Sequence, residues 1–155
     1  MGKYPKSIQK LLNGHKTNEI VLCHDYNFIT LKDKKWNNFN INNLHYTAWT
    51  KKNINSLLEL HRGDIESLKL LKKHVLKKIK LKEDELNIYI HFPPNFWKLH
   101  IHFVNKKKEI AAPIERVHFL DDVIKNLEKN NYYRDRVIIN SKLSLCLNIN
   151  KNLFI

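Results

Sequence analysis

An antiparallel β-sheet carrying two main helices, an α+β architecture, is predicted by three features of the sequence. Short alternating runs rich in β-branched and aromatic residues occur at Phe28–Lys32, Leu44–Thr50 and Leu86–Phe92. Between them the period changes: Ile65, Leu68, Leu71, Val75 and Ile79 follow the three-and-four spacing of one helical face, with lysines opposite. The order strands, helix, strands, helix, strand suits an antiparallel sheet rather than alternating βαβ units.

Each element has a local cause. Pro5 before Ile8, Leu11 and Leu12, with Gly14 beyond, predicts a short N-terminal helix. Glu19–Cys23 and Phe28–Lys32 flank a polar turn holding Asp25 and Asn27, which predicts a hairpin. Leu86–Phe92 and Trp97–Val104 read as two strands. Pro93-Pro94-Asn95-Phe96 joins them, because two residues without an N–H cannot serve a ladder. After the charged loop Lys106–Lys108, a second helix is expected from about Glu115 to Asn130, with Val117, Leu120, Ile124 and Leu127 buried and Arg116 in its first turn. Val137–Leu147 reads as a last strand. Trp36, Trp49 and Trp97 are expected in the core or a dimer contact, with base stacking as the alternative.

The 155 residues fit one domain: a helical segment over 1–18, a core over 19–147 and a tail over 148–155. No Gly/Ser linker and no repeat divides the chain. Net charge is +13, which invites an anionic partner, although lysine and asparagine enrichment also fits compositional drift on a solvated surface. Cys23 and Cys146 have no zinc or disulfide spacing and read as buried thiols. No stretch approaches the ~20 apolar residues of a membrane span, and no signal peptide opens the chain. Cytoplasmic placement, with the nucleus as a second site, is the corresponding expectation.

The chemistry concentrates between His91 and Phe103. On a strand Lys98, His100 and His102 share one face while Trp97, Leu99, Ile101 and Phe103 take the other, and His91 can join the first face from the preceding strand. A neutral imidazole with one nitrogen held by a carbonyl can attack phosphorus through the other, and protonated or cationic neighbours can stabilise the phosphoryl oxygens. Two rivals fit a His-x-His on a strand: a purely structural pair, and a shared zinc. No Cys, Asp or Glu is adjacent in sequence, and Lys98 opposes a cation, so no metal or other cofactor is expected.

The run Lys98-Leu99-His100-Ile101-His102-Phe103-Val104 resembles the histidine-triad signature, with Lys98 in place of the first histidine. Further segments are similar, in order, to the scavenger mRNA decapping family of that superfamily: Phe28–Asn37 with its Asp33-Lys34-Lys35-Trp36, the turn Ile54–Leu57, His91 before a Pro-containing connection, and Ile114–Leu120. The resemblance implies a histidine-triad fold and a hydrolase that releases methylguanosine monophosphate from residual m7GpppN cap dinucleotides or short capped oligonucleotides. It makes His100 the nucleophile, with His102 and His91 on the phosphate oxygens. Lys35 and Arg116 then hold the phosphate chain, Asp33 the cap nucleoside, and Asn95, Phe96 and Lys98 the remaining substrate contacts.

The resemblance also implies a homodimer. The family closes a separate N-terminal domain over the site, whereas fewer than 30 residues precede Phe28 here, so a catalytic domain alone is expected. The family stacks methylguanine on an upstream Trp and reads it with a carboxylate; no Trp precedes Trp36, which leaves Tyr4, the neighbourhood of Ser7 and Glu19 for those tasks. A broader histidine-triad nucleotide hydrolase and a cap- or RNA-binding module without turnover are the alternatives.

Overall fold

The computed structural model describes residues 4–129 and 132–134. Its centre is a six-stranded sheet in the order β1-β2-β3-β5-β4-β6, with every pairing antiparallel. The strands are β1 (Val21–His24), β2 (Phe28–Lys32), β3 (His45–Thr50), β4 (Leu86–His91), β5 (His100–Asn105) and β6 (Val117–Phe119). The helices are α1 (Lys6–Leu12), α2 (Ile65–Lys78) and α3 (Leu120–Leu127). The expected strand over Val137–Leu147 lies outside the described residues.

The two faces of the sheet do different work. Leu68, Leu71 and Val75 of α2 and Leu120, Val123 and Leu127 of α3 pack with Phe28, Ala48, Ile88, Ile90, Ile101 and Phe103 into the main core. At ~25 cal/mol per Å² of apolar surface this burial is the chief source of stability. On the opposite face a smaller cluster joins Ile8 of α1 to Ile29, Leu31 and Trp49. The histidines of β5 lie on that second face, because side chains alternate and Ile101 and Phe103 already point to the helices.

Two expectations are corrected. The second helix begins later than Glu115: Ile114–Arg116 form a single 3-10 turn, Val117–Phe119 pair with β4 as an edge strand, and helix follows only from Leu120. Val117 fits a helical stripe and a strand equally well over three residues, and the open edge of β4 decides, with Val117 opposite His91. Arg116 therefore stands in a turn before the strand, not in a helix. β5 likewise starts at His100 rather than Trp97. Leu99 donates to the Ile54 carbonyl and accepts from the Thr50 amide, which ties it to the loop after β3. Trp36 and Trp49 are buried as expected; Trp97 is half-buried against Phe92.

Candidate active site

Pairing in the sheet assembles the site from three strands. Trp49, Thr47 and His45 of β3 lie directly across from His100, His102 and Val104 of β5, and Tyr89 of β4 lies across from His102 on the other side. Cross-strand partners share a face, so the register alone brings His45, His100 and His102 together. His91, at the end of β4, has its ring centroid 4.9 Å from that of His102.

His100 is held on two sides. Its ring is 8% exposed and stacks on Trp49 with centroids 4.3 Å apart. Nδ1 lies 2.6 Å from the Lys98 carbonyl. A carbonyl only accepts, so the proton sits on Nδ1 and Nε2 carries the lone pair. Burial pushes the ring's pKa down, which keeps it neutral at pH 7.

His102 has the opposite polarity, and the reason lies two residues away in space. Lys108 Nζ stands 3.3 Å from His45 Nδ1, and an ammonium only donates, so the His45 proton is on Nε2. That Nε2–H reaches His102 Nδ1 at 2.9 Å. His102 therefore carries its own proton on Nε2, which is buried and has no partner among the described residues. One imidazole thus offers a lone pair and its neighbour, with centroids 5.1 Å apart, offers a donor.

Burial dominates the electrostatics. It lowers His45 to about 4 and His91 to about 4, and places His102 well below the usual imidazole range, with the neighbouring rings and Lys35 adding to the effect at His102. Burial alone would raise Asp33, but the His45 ring, the Thr47 hydroxyl and Lys35 outweigh it and hold the carboxyl down. The Asp33 carboxylate accepts from Thr47 Oγ1 at 2.6 Å and from the Lys35 amide at 2.8 Å, and stands 3.7 Å from His45 Nε2.

Asp33, His45 and His102 place potential metal-ligand atoms within 4.8 Å of one another. Two nitrogens on one zinc, at bonds of ~2.0–2.1 Å, stand roughly 3.3 Å apart. At 2.9 Å the two imidazoles share a proton instead. The arrangement is that of a hydrogen-bonded chain.

The other expected residues divide into two groups. Arg116 donates from Nε to the Pro93 carbonyl at 3.1 Å and from Nη2 to Asn95 Oδ1 at 3.2 Å, pinning the connection between β4 and β5 at the rim. Phe96 stands over Trp49 with centroids 6.4 Å apart. Lys35 is exposed and is among the charges that depress all four site histidines. Lys98 departs from its expected place: its ammonium donates to the Lys52 carbonyl at 2.7 Å and lies over the Tyr4 ring, so its carbonyl, not its charge, serves His100. Because residue 98 precedes β5, strand alternation does not govern it.

Sequence reasoning overlooked His45, Thr47 and Lys108 as members of the site, and named Trp49 only for the core, a dimer contact or base stacking, not for His100. The alternation of Leu44–Thr50 does put His45, Thr47 and Trp49 on one face, but which strand that face meets is decided by long-range pairing.

The family described as "Scavenger mRNA decapping enzyme C-term binding" matches residues 6–118, well over half of the chain. The chain belongs to this family. Among curated relatives, the m7GpppX diphosphatase of Caenorhabditis elegans is 35% identical over 109 residues, which are 66% of this chain and 35% of that protein. The m7GpppX diphosphatase of Homo sapiens is 30% identical over 118 residues, 72% of this chain and 35% of that protein. The match thus spans about a third of the length of these relatives. The crystal structure of a Zn-bound histidine triad family protein from Mycobacterium smegmatis superposes with a TM-score of 0.50 at 16% identity, covering 78% of this chain and 94% of that one. The expected histidine-triad fold is therefore the observed one.

Proposed function

We propose that the protein is an m7GpppX diphosphatase that hydrolyses residual cap structures through a phosphohistidine at His100. The observation that carries the reading is the His100 ring itself: its Nδ1–H is spent on the Lys98 carbonyl, its Nε2 lone pair is bare, and it packs on Trp49. The names of the family relatives supply the substrate class.

The chemistry balances with the groups present. His100 Nε2 attacks the phosphorus bonded to the methylguanosine; the N–P bond forms as the bridging P–O bond breaks. The departing nucleoside diphosphate leaves as an anion whose bridging oxygen accepts a hydrogen bond from His102 Nε2–H, a donor held in place by the Lys108–His45 chain. Water then attacks phosphorus, the N–P bond breaks with its electron pair returning to His100 Nε2, methylguanosine monophosphate leaves, and the proton that water sheds passes to solvent. His91 supplies a second imidazole to the phosphoryl oxygens, while Lys35 and Arg116 offset charge along the phosphate chain. Asn95 retains an amide N–H₂ for the same chain, Phe96 borders the entrance, and Asp33 borders the nucleoside side.

The test is incubation with m7GpppG in EDTA, with product chromatography and acid-labile phosphate trapping. Methylguanosine monophosphate and an acid-labile protein–methylguanylate adduct are expected from the wild type and neither from His100→Asn. Turnover that persists in His100→Asn would remove the reading. A homodimer belongs to the same proposal, and light scattering at twice the monomer mass is its expected outcome.

A further inference from the structure

α2 and α3 cover the sheet face opposite the histidines, and α2 turns its outer side to solvent. Lys69, Lys73 and Lys77 stand on that side, exposed and four residues apart. Four residues advance a helix by about 6 Å, so the three side chains form one ridge about 12 Å long. A groove of about 570 Å³ runs beside the ridge, between α2 and α3, with Leu76 and Ile124 on its floor.

The ridge stays cationic although acids lie close by. Glu83 and Asp121 line the same groove, yet both are committed to Lys72, Asp121 at 2.7 Å. Lys69, Lys73 and Lys77 meet no carboxylate among the described residues. Like charges four residues apart on a helix repel, so this row destabilises the helix that carries it. No aromatic ring lines the groove, and Ile124 is only 9% exposed, so base stacking is absent and apolar anchorage is slight. What remains for a ligand is positive charge at a regular interval.

We propose that this ridge is a docking surface for the phosphate backbone of single-stranded RNA, separate from the catalytic face and indifferent to the cap. A backbone with one charge per nucleotide matches a row of cations at a fixed interval, whereas an acidic protein segment needs the apolar anchor that this groove lacks. An extended strand, with more than the ~3.4 Å per phosphate of a stacked one, reaches the ~6 Å between neighbouring lysines. RNA is chosen over DNA because the reading above makes capped RNA remnants the substrate, and only that choice rests on it. Such binding is independent of sequence and weakens as salt rises, with a log–log slope of about −2 for three phosphates on a single strand.

The test is fluorescence anisotropy of a labelled, uncapped ten-nucleotide RNA with a 5′-hydroxyl end, titrated with the full chain across a series of salt concentrations. K73E/K77E is expected to weaken binding at least about tenfold and to flatten the slope from about −2 to nearer −0.7. K73Q/K77Q, which introduces no negative charge into the helix, is expected to weaken it at least about threefold. K10E/K16E makes the same change in net charge on the α1 side and is expected to cost less than about twofold. Unchanged binding in K73E/K77E and K73Q/K77Q, or an equal loss in K10E/K16E, overturns the ridge as the docking surface. Poly-glutamate of matched charge that displaces the RNA at equal concentration overturns RNA as its occupant. Turnover of m7GpppG by K73E/K77E is expected within about twofold of wild type, because the ridge and His100 lie on opposite faces of the sheet; a parallel loss overturns their separation. If the wild type cleaves no m7GpppG, the catalytic reading fails while the anisotropy still decides the ridge.

Discussion

His45→Leu is the perturbation that most directly probes how the site is wired. In the folded protein the His45 Nε2–H donates to His102 Nδ1 at 2.9 Å, and the His45 ring is itself fixed by Lys108 at 3.3 Å. Leucine fills the space and removes both bonds. His102 Nδ1 is then a buried nitrogen without a donor, which costs ~1–3 kcal/mol of stability. The same loss frees the His102 proton to move to Nδ1, leaving Nε2 without the N–H that serves the leaving group. A preorganised donor to the developing charge is worth ~10²–10³-fold, so kcat is expected to fall at least about a hundredfold while KM changes by less than about threefold. His45→Gln retains a donor for His102 and an acceptor for Lys108, and should recover kcat to within about tenfold of wild type. Rapid-quench measurement of methylguanosine monophosphate formation, paired with urea unfolding, reads both effects. A His45→Leu protein with kcat within about twofold of wild type, or a glutamine variant no better than leucine, would refute the proton assignment.

Other outcomes follow from the same geometry. His100→Asn should abolish turnover and the protein–methylguanylate adduct at once while unfolding within about 1 kcal/mol of wild type in urea, because the asparagine amide can still donate to the Lys98 carbonyl. Acid should destabilise the fold early: His45 and His91 sit at about 4 against ~6.5 when unfolded, so the unfolded chain binds more protons across that interval. Stability is therefore complete above ~6.5 and declines as pH falls toward ~4, by at least about 2 kcal/mol; urea midpoints that stay level from pH 7 to 4.5 would contradict the buried neutral rings. Arg116→Ala should release the Pro93–Asn95 connection, raising KM for m7GpppG about tenfold while costing no more than ~1 kcal/mol in stability, since its partners lie at the surface. A change confined to stability would separate Arg116 from substrate.

Local pattern made much of the molecule legible. The three-and-four spacing from Ile65 marks α2, the Pro93-Pro94 pair marks the β4–β5 connection, and alternation after Leu99 separates the histidines of β5 from its core residues. These are properties of a few consecutive residues, so no partner is needed to read them. The misplaced start of the second helix has the complementary cause: Val117, His118 and Phe119 suit a helix or a strand, and only the unpaired edge of β4 selects between them. Lys98 was misplaced for a similar reason, because a bond from the Leu99 amide to the Ile54 carbonyl delays the strand until His100.

From its sequence alone this chain determined an antiparallel α+β fold, the strand that carries His100 and His102, and kinship with the scavenger mRNA decapping family, because periodicity and motif spacing are written in neighbouring positions. Tertiary structure decided which nitrogen of each ring holds its proton. That choice depends on the Lys98 carbonyl for His100, and on Lys108 acting through His45 for His102. For His102 those partners lie on other elements, and only the register between β3 and β5 and the packing of the following loop brings them within hydrogen-bonding distance.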